Sequence, residues 1–273
     1  MSSNINIPQV GFGTWQVEDE VAITSVEAAI KAGYRHIDSA QAYGNERSVG
    51  EGIRRSGIAR EDLFITTKLT NDNHTYELTR SSFEQSLKDL GLDYVDLFLI
   101  HWPCPLNFRD RWQDANAETW RAMEELYEEG RIRAIGVSNF HPRHIDALMQ
   151  TARIKPMVDQ IRLCPGCTQP EIVDYCRREG IILEAYSPLG NGRIFNVPEV
   201  ADLAAKYNKT VAQLCIRWSI DMGFIPLPKT VHPDRIKENL DVFDFKLEQD
   251  DIDYLSGLTG CAGDAPDPDT MPF

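Results

Sequence analysis

The stretch that decides the fold runs from residue 63 to residue 101. It opens with LFITTKL (63–69), passes through a segment with Phe83, Leu87 and Leu90 at i, i+4 and i+7, and ends in VDLFLIH (95–101). The two outer runs are apolar on successive residues, as strands are when both faces of a parallel sheet are covered. The middle segment carries one apolar stripe and stops at Gly91, where a left-handed helix terminus is wanted. This is a strand–helix–strand unit. The same alternation continues on both sides, through VGFGTW (10–15), YRHIDSA (34–40), AIGVSN (134–139), MVDQI (157–161), ILEAYSPL (182–189) and FIPLPKT (224–230). Trp120, Met123 and Tyr127 mark one further helical stripe, and Val211, Leu214, Cys215 and Trp218 another. Gly33, Gly57, Gly130 and Gly180 close helices as Gly91 does. Eight strands each followed by a helix predict a (β/α)8 TIM barrel rather than an open doubly wound sheet. With no Pro/Gly/Ser-rich linker and no repeat, residues 1–273 are expected to form a single domain, with 260–273 as a tail over the surface.

The 273 residues include 28 Lys and Arg against 42 Asp and Glu, a formal net charge of −14. That balance argues against nucleic acid or an anionic membrane surface as a partner. No apolar run reaches the ~18 residues of a spanning helix. MSSNINIPQV (1–10) lacks the basic and apolar regions of a secretory signal, so a cytoplasmic location is expected, with the six cysteines reduced. The oligomeric expectation is a monomer.

In a barrel, side chains at the C-terminal strand ends converge on one mouth. Strand two ends in Asp38, with Tyr43 in the loop beyond it; strand three ends in Lys68 and strand four in His101. A phenol is a poor acid near neutrality, and a nearby ammonium stabilises its phenolate. A carboxylate can hold that lysine, and a histidine can orient a carbonyl oxygen. Taken singly, an Asp–Lys pair is ordinarily a structural ion pair, and a strand histidine a satisfied polar group. Four compatible groups at three consecutive strand ends read instead as a proton donor aimed at a substrate oxygen. Lys229, Thr230 and Arg235, just past the last strand, suit a phosphate, although a solvated basic segment would look the same.

DSAQAYGNE (38–46), FITTKL (64–69), LFLIHWP (97–103), GVSNF (136–140), EAYSPLG (184–190) and IPLPKTVHPDRIKENLDVF (225–243) together resemble the aldo-keto reductase family. The likeness runs from GFGTWQ (11–16) to about residue 258 and is greatest to the short prokaryotic-type members around the 2,5-diketo-D-gluconate reductases. The resemblance implies NADPH-dependent reduction of a small aldehyde or ketone, reversibly, with Tyr43 as general acid among Asp38, Tyr43, Lys68 and His101. It implies that Ser138, Asn139 and Gln160 bind the nicotinamide carboxamide and that Tyr186 stacks on the ring. Lys229, Thr230, Arg235, Glu238 and Asn239 match the group around the 2′-phosphate and adenine of NADP+. Gly13, Thr14, Trp15, Asp38, Ser187, Leu189 and Val231 are further implied along the cofactor. Trp15 and Trp102, with Tyr43 and His101, are implied to bound the substrate. The rival is a non-catalytic cofactor-binding or regulatory protein on the same barrel, which would be free to lose Tyr43 or His101.

The sequence departs from the family pattern in places. Asp159-Gln160 replaces Asn-Gln, Arg162-Leu163-Cys164-Pro165 replaces Glu-x-His-Pro, Thr70 replaces a tryptophan, and the N-terminal hairpin is shortened. Cys164-Pro-Gly-Cys167 lacks the second ligand pair of a zinc site and the setting of a thioredoxin motif. No metal is expected. Gly11-Phe-Gly13 lacks the third glycine of a Rossmann fingerprint, and Gly52–Gly57 lacks the P-loop lysine.

Overall fold

A computed structural model describes residues 5–273; Met1–Asn4, part of the N-terminal stretch read above, lie outside the described residues. Eight parallel strands follow one another in sheet order: β1 (Phe12–Gly13), β2 (His36–Asp38), β3 (Phe64–Leu69), β4 (Leu97–Ile100), β5 (Ile135–Ser138), β6 (Val158–Arg162), β7 (Ile182–Tyr186) and β8 (Ile225–Leu227). Each lies in or overlaps one of the apolar runs, trimmed at the ends. The sheet closes on itself, because Gly11 and Gly13 donate backbone N–H bonds to Pro226 O and Pro228 O at 3.0 and 3.1 Å. That closure excludes the open sheet and confirms the barrel. Pro226 and Pro228 have no N–H to offer, so this seam rests on their carbonyls as acceptors.

The amphipathic stripes become helices that bury their apolar faces against the strands. Phe83, Leu87 and Leu90 lie on Tyr76–Leu90, Trp120 and Met123 on Trp112–Glu128, and Leu214, Cys215 and Trp218 on Val211–Asp221; all are buried. Gly33, Gly57, Gly91 and Gly180 are left-handed at the helix ends. Gly50 is needed for another reason. A methyl group there would stand 2.2 Å from the Leu90 carbonyl oxygen, so only glycine lets Glu46–Ser56 approach the end of Tyr76–Leu90. No helix among the described residues is long and apolar enough to cross a membrane.

Residues 260–273 have no helix or strand, yet they cross the loops at the C-terminal ends of the strands and are fastened to them. Ala262 is fully buried and its carbonyl accepts from Arg162 Nη2 at 2.6 Å. Leu106 N–H bonds to Phe273 O at 3.1 Å, and the Phe273 ring meets Trp102 edge-on at 5.4 Å. Asp269 accepts from His144 Nε2 (3.0 Å), the Cys104 thiol (3.2 Å) and Arg143.

Candidate active site

Strand ends place the chemical groups. Asp38 ends β2, and a single 3₁₀ turn, Gln41–Tyr43, lifts Tyr43 over the mouth before Gly44, left-handed at φ 69°, reverses the chain. Lys68 lies near the end of β3, and His101 follows β4. The Lys68 ammonium donates to Asp38 Oδ1 (2.8 Å) and Oδ2 (2.7 Å), to Ser39 O (2.9 Å) and to Tyr43 Oη (3.3 Å). The His101 ring meets the Tyr43 ring edge-on at 5.8 Å. All four predicted residues therefore share one cluster.

Burial sets the protonation states. Lys68 is fully buried, yet Asp38 and Tyr43 outweigh desolvation and hold its pKa above the ordinary lysine value. His101 is kept neutral, its pKa well below the usual imidazole value through burial, then the Lys68 charge. For Tyr43 the simple expectation of a lowered pKa needs correction. Burial raises it more than Lys68 lowers it, so the phenol is firmly protonated at neutral pH.

A second layer lies beneath this cluster. Gln160 Nε2 donates to Asp38 Oδ1 and to Glu184 Oε2, each at 2.8 Å. Both Asp38 oxygens already accept from Lys68, so it is the amide nitrogen of Gln160, the donor, that faces them. Both N–H groups of Gln160 are thereby used and its carbonyl oxygen is left as an acceptor. Ser138 Oγ donates to Gln160 O at 2.8 Å. Asn139, left-handed at φ 60°, sends Nδ2 to His101 O (3.0 Å) and Ser138 Oγ (3.1 Å). Its Oδ1 accepts from Tyr186 Oη at 2.8 Å, which anchors the far end of that side chain. Asp159, in place of the usual asparagine, is buried and its pKa lies well above the ordinary carboxylate range through desolvation. As a neutral acid it is a near-isostere of that asparagine.

The structure places the remaining predicted residues as follows. Thr14 Oγ1 donates to Asp38 O at 2.9 Å, and Gly13 packs against the chain at Pro228, so both border the mouth beside β8. Trp15 is half exposed and Trp102 stacks on His101 at 6.4 Å. Ser187 is left-handed at φ 49° just after β7, with Leu189 half-buried beyond it. Lys229, Val231 and Arg235 are exposed, and neither cation has a carboxylate partner among the described residues. Thr230 Oγ1 accepts the His232 N–H at 3.2 Å, and Asn239 is buried. Glu238 is instead engaged by Thr210 Oγ1 at 2.7 Å, across to the neighbouring helix. Sequence reasoning missed Glu184 and Phe273. Glu184 left a signal, being a charged residue two before Tyr186 on the same face of an otherwise apolar strand. Phe273 left none.

A closed parallel barrel with a Lys68-centred proton donor at its C-terminal mouth defines an enzyme of the carbonyl-reducing barrel class. The chain belongs to the aldo/keto reductase family, which residues 9–259 match. It is 46% identical over 274 residues to a glyoxal reductase of Bacillus subtilis, covering 100% of this chain and 96% of that protein. It is 42% identical to a methylglyoxal reductase of Escherichia coli, over 96% of this chain and 94% of the relative. Among solved structures, an aldo/keto reductase from Brucella melitensis superposes with a TM-score of 0.87 at 46% identity, covering 94% of this chain and 97% of that one. An aldo-keto reductase of Bombyx mori in complex with NADP superposes with a TM-score of 0.85 at 37% identity, over 94% and 91% of the two chains.

Proposed function

We propose that this protein reduces small aldehydes or ketones to alcohols with NADPH, reversibly, and that Tyr43 is the general acid. The observation that carries this reading is Lys68, which bonds Asp38 and the Tyr43 phenol at once inside a buried mouth. The residues fit the cofactor. The Tyr186 side chain, anchored at its hydroxyl, offers a ring face on which a flat heterocycle can stack, and the Gln160 carbonyl is free to accept from a carboxamide. Lys229 and Arg235 are cations without an anionic partner among the described residues, suited to a phosphate.

Bound NADPH supplies a hydride to the carbonyl carbon. Tyr43 holds its proton at the phenolic oxygen, where the substrate oxygen takes it as charge develops there. Lys68, 3.3 Å from that oxygen, stabilises the phenolate left behind, and Asp38 keeps the ammonium in place. Neutral His101 orients the carbonyl oxygen through a hydrogen bond. Trp15, Trp102 and Phe273 form apolar walls, which suits small carbonyl substrates without strong charge. We read the chain as one barrel acting as a cytoplasmic monomer, with Asp38, Ser187, Leu189 and Val231 along the cofactor.

The test is NADPH oxidation over a panel of small aldehydes and ketones, glyoxal and methylglyoxal included. Turnover with members of the panel is expected. Tight NADPH binding with no turnover of any carbonyl would favour the non-catalytic alternative.

A further inference from the structure

Just beyond β6 the chain makes a turn, Cys164-Pro165-Gly166-Cys167, that the reductase chemistry does not use. Cys164 N–H donates to Cys167 O at 3.1 Å and Cys167 N–H to Cys164 O at 2.9 Å, an isolated antiparallel bridge. Pro165 and Gly166 form the corner, with Gly166 at φ 84°, the Pro–Gly arrangement of a type II turn. Residues paired in this way have Cα atoms about 5.5 Å apart, which lies within the span a disulfide bridges. Both side chains are buried in one small cluster with Ala262.

A charge argument points to the same pair. Arg162 is 8% exposed; its Nη2 bonds to Ala262 O and its Nε has no partner. Among the described residues no carboxylate lies within ion-pair reach of it, and a buried cation without a counter-ion is costly. The Cys167 sulfur lies 4.0 Å from the Arg162 carbonyl oxygen, so a Cys167 thiolate would put a negative charge close to that residue. Where relatives of the family pattern carry Glu-x-His-Pro, this chain has a cation and a thiol together. Proximity to Cys164 first, and then to Arg162, brings Cys167 down to about 7 against burial.

We propose that Cys164 and Cys167 are a peroxide-reactive thiol pair that closes into a disulfide, with Cys167 as the attacking thiolate and Cys164 as the resolving thiol. The Cys167 sulfur takes one oxygen of hydrogen peroxide as the O–O bond breaks, giving a sulfenic acid and hydroxide. Cys164 then attacks the Cys167 sulfur, its proton leaving with the displaced hydroxyl as water. Overall one dithiol and one peroxide yield one disulfide and two waters. Cys167 is the less buried of the two, 8% exposed against none for Cys164, so the small peroxide molecule meets it first. Closure removes the anion near Arg162, whose Nη2 holds the Ala262 carbonyl in the segment that crosses the mouth.

The test treats the purified, reduced protein with hydrogen peroxide, blocks residual thiols and maps the cysteines by mass spectrometry. The expected first product has lost two of its six thiols, with the 164–167 peptide lighter by two hydrogens and restored by dithiothreitol. Cys164→Ser is expected to accumulate a Cys167 sulfenic acid that dimedone labels, and Arg162→Met to move the pH midpoint of Cys167 alkylation upward from about 7. Three results would overturn the proposal: prior oxidation of Cys104 or Cys176, a disulfide joining Cys167 to Cys261 beside Gly166, or separate sulfinic acids at 164 and 167. The wild-type mapping decides the matter even where a variant folds poorly.

Discussion

Gln160 Nε2 stands 2.8 Å from Glu184 Oε2, and through the same nitrogen Glu184 is coupled to Asp38, the carboxylate that holds Lys68. Glu184 is fully buried, and its pKa is raised from 4.5 to about 8 by burial first and by the Asp38 charge second. The folded state therefore keeps a proton that the unfolded chain releases. This group costs nothing below pH ~4.5, where both states are protonated, and stability is lost as pH rises toward about 8. Within that window the loss is about 1.4 kcal/mol per pH unit. Glu184→Gln is expected to remove this slope. Urea unfolding of wild type and variant at pH ~5 and ~8 checks it: an unchanged difference between the two pH values would mean that Glu184 is ionised throughout.

Tyr43→Phe removes the proton donor but leaves the ring. Turnover is expected to fall by about 10²–10⁴-fold, the usual worth of general acid catalysis, while the NADPH dissociation constant stays within about twofold, since the phenol acts in the transition state. Single-turnover kinetics with fluorescence-titrated cofactor separates the two quantities. A variant with more than half of the wild-type chemical rate would remove Tyr43 from its role.

Arg235→Ala tests the phosphate assignment. A charge-assisted hydrogen bond is worth about 1.5–3 kcal/mol, so NADPH affinity is expected to drop roughly ten- to a hundredfold with little change for NADH. Calorimetric dissociation constants for both cofactors are the readout. Equal weakening of the two would place the 2′-phosphate elsewhere.

Asp269 fastens the C-terminal segment through His144, Cys104 and Arg143. The His141 N–H donates to His144 Nδ1 at 2.9 Å, so the imidazole proton sits on Nε2 and points at Asp269. His144 is held neutral, down to about 4, mainly by burial. Asp269 lies at about 2, because its Arg143, Cys104 and His144 hydrogen bonds outweigh burial. With the folded value below the unfolded one, the fastening is complete above pH ~4 and is lost as pH falls through about 2. Asp269→Asn is expected to expose residues 260–273 to carboxypeptidase several-fold faster at neutral pH and to raise KM for carbonyl substrates more than it lowers kcat. Identical trimming rates in variant and wild type would show that the other contacts suffice.

Gly50→Ala forces a methyl group to 2.2 Å from the Leu90 carbonyl oxygen. Overpacking of this kind costs about 1–3 kcal/mol, and thermal unfolding should shift downward by several degrees. An unshifted midpoint would mean that the two helices separate freely.

The sequence by itself determined the eight-strand barrel, and with it the grouping of Asp38, Tyr43, Lys68 and His101. Strand and helix periodicity are local, and a barrel sends every C-terminal strand end to one place. The helix-closing glycines and the exposed Lys229–Arg235 segment were legible for the same reason. What lay beyond it depends on residues far apart in the chain. Gln160 reaches Asp38 across 122 positions, Asp269 reaches His144 across 125, and Arg162 reaches the Ala262 carbonyl across 100. No local pattern encodes those meetings. The direction of the Tyr43 pKa was likewise decided by the tertiary structure, because it is set by a contest between burial and the Lys68 charge, and burial exists only once the barrel has closed.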